Sequence, residues 1–278
     1  MAEGAEGVVV SRKEKDSEFF IPCAVVQTCE NKTLPKTRLK AAPETGRYIW
    51  TDTNGNGLAE NDEISMPPEK IKYDWSKYLF VDSQAGIWQP QGRTGMRYFP
   101  CTGFTESGAP VYTFATEKLI PRPPEFIDVR RTNYYPETDT MYLSGYTWEN
   151  QAVPGEWVTS GSEIIRYDNW SKPTRKTACR IPFPTGATIS SWDVVPKRNL
   201  LFAGELGSSV VFVYNTKNGK LLGIVEPDPD KVGGVGWLDF PGGAIHAFER
   251  KNGEIIISLE ECFREKELVF RIPPGFEN

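Results

Sequence analysis

The sequence predicts an all-β fold of the β-propeller type, and three observations carry that expectation. Short runs rich in β-branched and aromatic residues recur along nearly all of the 278 residues, punctuated by Gly, Pro, Asn and Asp. Several of these runs fall into groups of four at hairpin spacing, the make-up of one propeller blade. No long stretch shows the apolar period of an amphipathic helix.

Taken in chain order, residues 1–17 read as a flexible tail of a single 1–278 domain, and 19–28 as a strand. Residues 47–75 read as an incomplete blade around a metal loop at 52–63. A further blade is expected from runs at 78–81, 86–89, 96–101 and 111–114, and another from 126–131, 140–146, 163–167 and 176–183. The clearest unit comprises 189–195, 200–204, 210–214 and 220–225, with turns at 196–199 and at Asn218-Gly219. Asn-Gly supplies the two positive φ angles of a type I′ hairpin turn. Runs at 244–249, 254–259 and 267–272 give a final blade of three strands, and 19–28 is expected to complete it, because a ring of blades is locked when one terminus fills the blade of the other. At one blade per ~40–50 residues the chain holds about five, as a closed ring or as part of a larger propeller. A β-sandwich is the competing architecture.

Composition narrows the function classes. With 32 basic and 37 acidic residues the net charge is −5, which disfavours a nucleic-acid partner. The longest apolar runs are strand-sized and give no membrane-spanning helix. The N-terminal seven residues are acidic where a secretory signal is basic, so the chain reads as a mature extracellular or periplasmic protein or as a cytoplasmic one. The five cysteines lack zinc-site spacing and read mainly as buried thiols.

One motif carries explicit chemistry. Asp52, Asn54 and Asn56 stand at positions 1, 3 and 5 of a twelve-residue loop, Gly57 at 6, Leu58 at 7, Glu60 at 9 and Glu63 at 12. Alternate side-chain oxygens, a glycine for the sharp turn, a backbone carbonyl from Leu58 and a bidentate closing glutamate make a shell for Ca2+. An all-oxygen set favours calcium over zinc. Over these twelve residues the loop resembles that of EF-hands and dockerins, here grafted between strands, and its expected role is structural. A plain Asx/Gly turn is the alternative, one that does not need Glu63.

The segment 209–223, with Phe212, Tyr214, Asn218 and Gly219, resembles the blades of NHL-type and gluconolactonase-like propellers. That resemblance implies the propeller fold and transfers no active site. Three functions remain open. The first is a calcium-stabilised binding module for carbohydrate, with Trp88, Tyr134, Tyr135, Trp148, Trp192 and Trp237 as stacking rings, set against the commoner core role of aromatics. The second is a propeller hydrolase or lyase acting on a carbohydrate or lactone, with Asp128, Arg130, Asp193, Asp239 and His246, the sole histidine, as acid, base and electrostatic groups. The third is a scaffold that binds a protein ligand. Ser190-Ser191 and Ser208-Ser209 lack a nucleophile-elbow context, which disfavours serine hydrolase chemistry.

Overall fold

The computed structural model describes residues 7–28, 46–68, 78–152, 160–238, 243–262 and 265–276, and nearly all of its regular structure is antiparallel strand. It has the all-β, propeller-class architecture the strand rhythm predicts: among the described residues, five antiparallel sheets follow in sequence order, four of four strands and one of three. Two units divide the chain, Met1–Arg122 and Pro123–Asn278.

In the first unit, β1 (Gly7–Lys13), β2 (Phe20–Gln27), β3 (Tyr48–Thr51) and β4 (Ile64–Ser65) pair in order. β5 (Phe80–Val81), β6 (Ile87–Pro90), β7 (Gly95–Phe99) and β8 (Lys118–Pro121) form the next sheet. Strand alternation sends Ala24, Val26 and Ile49 to a core shared with Ile87, Phe99 and Tyr112, while Val25, Tyr48 and Trp50 face the other way and pack with Ala59 of the loop 52–63. Both faces of β2 and β3 are therefore covered.

The second unit contains β9 (Phe126–Tyr135), β10 (Thr140–Thr147), β11 (Glu163–Asp168) and β12 (Lys176–Pro182), then β13 (Ile189–Val195), β14 (Leu200–Glu205), β15 (Val211–Asn215) and β16 (Leu221–Val225). It ends with β17 (Ile245–Glu249), β18 (Ile255–Glu261) and β19 (Lys266–Ile272). Phe202, Val211 and Val213 pack with Ile245, Ile257 and Leu259 in one core, and Trp192, Leu201 and Ala203 with Tyr142 and Ile164 in another. The strands β14 and β15 thus bury both faces, whereas β16 at the outer edge leaves Leu221 and Ile224 exposed.

Four local expectations are corrected. Residues 7–13, assigned to a flexible tail, form β1, because Val8 and Val10 pack against the first core. The run 19–28 does not complete the last sheet: as β2 it has β1 on one side and β3 on the other, and among the described residues the β17–β19 sheet has three strands. Residues 111–114 give no strand, since Val111 bonds back to Thr102 and Gly103, and Lys118–Pro121 pairs with β7 instead. At Asn218-Gly219 only Gly219 has positive φ, +73°. The Gly219 N–H bonds to the Asn215 carbonyl, so the connection is a longer turn ending in a left-handed glycine.

Candidate metal loop and leading-strand cluster

The loop 52–63 leaves β3 and returns through a single 3-10 turn, Asn61–Glu63, into β4. Its backbone follows the sequence expectation. Gly55 and Gly57 have φ of +81° and +71°, values costly for a residue with a Cβ. The buried Asp52 carboxylate draws the turn around itself, Oδ1 accepting from the Gly55 N–H at 2.8 Å and Oδ2 from the Gly57 N–H at 3.1 Å. Ser107 donates to the Asp52 carbonyl at 3.1 Å, tying the loop to the 105–109 turn.

Two cross-links were not legible from the motif. Arg12 of β1 places Nη1 2.6 Å from Asp52 Oδ2 and Nη2 2.5 Å from the Gly55 carbonyl. Glu63 accepts from Trp50 Nε1 at 2.9 Å with one oxygen and from the Thr53 N–H and hydroxyl at 2.7 and 2.9 Å with the other. Burial works to raise the Glu63 carboxyl, but the bonds from Trp50, Thr53 and Asn54 outweigh it and hold the group below its ordinary value. Asn54 and Asn56 direct their amide nitrogens at Glu60, at 2.5 and 3.4 Å. Among the described residues no three His, Cys, Asp or Glu side chains gather as a metal site. The backbone and oxygen inventory thus fit a calcium loop, whereas the side chains as oriented answer one another. Admitting an ion requires Arg12 to yield Asp52 and Glu63 to turn from Trp50.

The second group lies on the leading strands of the second unit, where β9, β13 and β17 carry polar residues. Arg131 Nη1 donates to Ser191 Oγ at 2.6 Å, and the same hydroxyl accepts from the Ile245 N–H at 3.3 Å. Asp193 Oδ2 accepts from the Ala247 N–H at 2.9 Å and Oδ1 from the Val194 N–H at 2.8 Å. Side chains of β13 thereby stitch β9 on one flank to β17 on the other. Burial pushes the Asp193 carboxyl up, opposed by the Ala247 N–H and by the positive field of Arg131, with a smaller opposing contribution from His246. Arg131 lies over the Trp192 ring, 4.8 Å from its centroid, and Trp192 Nε1 donates to Ser144 Oγ at 2.8 Å.

Of the residues proposed for acid–base chemistry, Asp128 and Arg130 pair with each other at 2.7 Å on β9. Asp193 and His246 come close enough to interact, with His246 exposed on β17. Asp239 lies outside the described residues. Of the six proposed stacking aromatics, Trp88 and Trp192 are core: Trp88 stacks on Tyr98 at 4.1 Å and donates to Asp82, leaving neither ring a face for a ligand. Tyr134 and Tyr135 are half-buried with their hydroxyls bonded to Asp139 and the Val194 carbonyl. Only Trp148 and Trp237 of the six are exposed, at 57% and 54%. Cys23 and Cys179 are buried thiols as expected, while Cys262 is exposed.

The fold defines the class, a β-propeller. No family model matches the chain, and no curated protein matches it. Among solved structures it is similar to a protein from Lactobacillus plantarum at 12% identity, covering 96% of this chain and 78% of that one with a TM-score of 0.45. It is also similar to the computationally designed Ika8 protein at 8% identity, 96% and 72% coverage and TM-score 0.43. A chain of a nidogen/laminin complex matches at 8% identity, 80% and 70% coverage and TM-score 0.38. No activity, ligand or partner is transferred from these likenesses. Among the described residues no helix is long and apolar enough to cross a membrane.

Proposed function

We propose that this chain is a β-propeller binding module in which the loop 52–63 takes Ca2+ as a structural clamp and carbohydrate is the ligand class. The calcium reading rests on one observation: Gly57 turns left-handed with its N–H on Asp52, while oxygen-bearing side chains stand at positions 1, 3, 5, 9 and 12. Bound there, the ion replaces the Arg12 guanidinium as the counter-charge of Asp52. The test is thermal unfolding of the full chain in calcium against chelator, together with terbium luminescence sensitised through Trp50, whose indole donates to Glu63. A melting temperature several degrees higher with calcium is expected, corresponding to ~1–3 kcal/mol of binding linkage. Identical melting curves and no terbium signal overturn the metal reading.

The carbohydrate reading rests on exposed Trp148 and Trp237, the rings of the original set left with an accessible face. Glycan-panel binding that falls on substitution of either tryptophan by alanine supports it, and an unaltered profile sinks it. Binding is favoured over hydrolase or lyase chemistry because the acid–base candidates already have structural occupations: Asp128 pairs with Arg130, and Asp193 holds the backbone of β17.

A further inference from the structure

We propose that the second unit carries a separate oxyanion site, a cavity of 290 Å3 lined by Arg166, Asp168, Lys176, Thr177, Ala178 and Lys217 that binds a phosphate or sulfate group. The volume is at the small end of pockets that hold ligands, roughly 300–1,000 Å3, and suits such a group with a small substituent.

The sequence assembles the cluster through strand pairing. Arg166 and Asp168, two apart on β11, share a face, and Asp168 lies opposite Lys176 of β12. Lys217 arrives from the turn after β15. Asp168 is Lys176's cross-strand neighbour, yet one oxygen of its carboxylate is turned to Arg166, whose Nε stands 2.9 Å from Oδ1. Arg166 Nη1 also donates to the Thr216 carbonyl at 3.3 Å. These two bonds fix the guanidinium and leave Nη2 without a protein partner among the described residues. Neither Lys176 nor Lys217 has a hydrogen bond or ion pair from its amine there, and both are exposed. The lining therefore holds three cations against one carboxylate, which pairs with Arg166 through Oδ1.

The arrangement suits a tetrahedral oxyanion. A guanidinium held in place offers directed N–H donors, and two exposed ammonium groups on flexible stems can adapt to the remaining oxygens. Glu125 lies behind the wall, accepting from Tyr167 and Thr177 hydroxyls, and its charge opposes anions there. On a chain of net charge −5 no general positive field draws anions in, so binding at this place requires the local cluster. The inference is independent of the metal loop, which belongs to the other unit.

The test is titration of the full chain with inorganic phosphate and, separately, inorganic sulfate at constant ionic strength, followed by backbone amide shifts. Saturable shifts centred on Ala178 and Lys217 are expected. The double variant Lys176→Gln/Lys217→Gln, which breaks no observed contact, should weaken binding by about tenfold. A control with the same charge change at exposed Lys197 and Lys251 should leave binding unchanged. Phosphate affinity that falls between pH 7.5 and 6 while sulfate affinity holds identifies a dianion site. Overturning results are no saturable shift with either anion, or equal losses in the double variant and the control.

Discussion

Two carboxylates, the buried Glu63 in the first unit and the half-buried Asp193 in the second, are driven in opposite directions by the same protein. Burial raises both, but Glu63 receives the indole of Trp50, the hydroxyl and N–H of Thr53 and the N–H of Asn54, and its pKa is held low. Asp193 receives two backbone N–H groups and a positive field from Arg131, and its pKa is raised. Burial alone does not decide the charge of an acid; the donors that replace water do. The Glu63 side is built to keep a negative charge. The Asp193 side is built to bridge strands, with the charge poorly compensated.

The contrast can be broken most severely through its aromatic supports. Trp192→Ala removes a fully buried ring, the donor to Ser144 and the platform under Arg131, and should cost ~3–5 kcal/mol in urea unfolding. A loss below ~1 kcal/mol would show that the strand junction does not depend on that ring. Next in size is Arg12→Gln. It strips the guanidinium from a fully buried carboxylate while leaving the Gly55 and Gly57 donors, and should cost ~1–3 kcal/mol in chelator. Added calcium should restore more stability in this variant than in the wild-type chain, because the ion no longer competes with Arg12. Equal calcium effects in both chains would show that Arg12 and the metal do not share Asp52.

The pH dependence gives smaller but opposite signatures. Because the Glu63 pKa is depressed, its contribution is present above the ordinary glutamate value and is lost as pH falls through the folded-state pKa. Glu63→Gln should therefore lower stability at pH 7 and converge with the wild-type chain in acid. Asp193 has the reverse sign: its contribution is present below the ordinary aspartate value and is lost as pH rises through the raised folded-state pKa. Asp193→Asn should flatten that loss, an effect of ~1 kcal/mol or less, measured as the difference between unfolding free energies at pH 4 and pH 7. Parallel curves for both variants would dissolve the distinction between the two acids.

The same pair shows where sequence reading reaches and where it stops. Asp52 and Glu63 stood out because a twelve-residue spacing is local, and the left-handed glycines between them obey backbone sterics that any chain must satisfy. Arg12 did not stand out, being 40 residues away on a strand read as tail. Arg131 and Ser191, the centre of the strand junction, were likewise missed, since they meet across 60 residues and neither belongs to a recognisable motif. The one available signal was the adjacent pair Arg130-Arg131 on one strand: alternation sends the two to opposite faces, and an arginine turned inward must find partners. Trp88 and Trp192 were proposed for a ligand surface because ring chemistry is the same in a core and at a binding face, and exposure alone separates them.

Strand rhythm by itself determined the all-β class, most strand positions in the second unit and the turn glycines, because alternation and steric limits act over a few residues. Tertiary structure decided that 7–13 is a strand, that 19–28 belongs to the first sheet, that Arg12 meets Asp52 and that two exposed lysines line one cavity with Arg166. Those outcomes depend on which distant segments compete for the same edge or the same carboxylate. Local sequence does not encode the winner of such a competition, since the energy that settles it comes into being only when the partners are brought together.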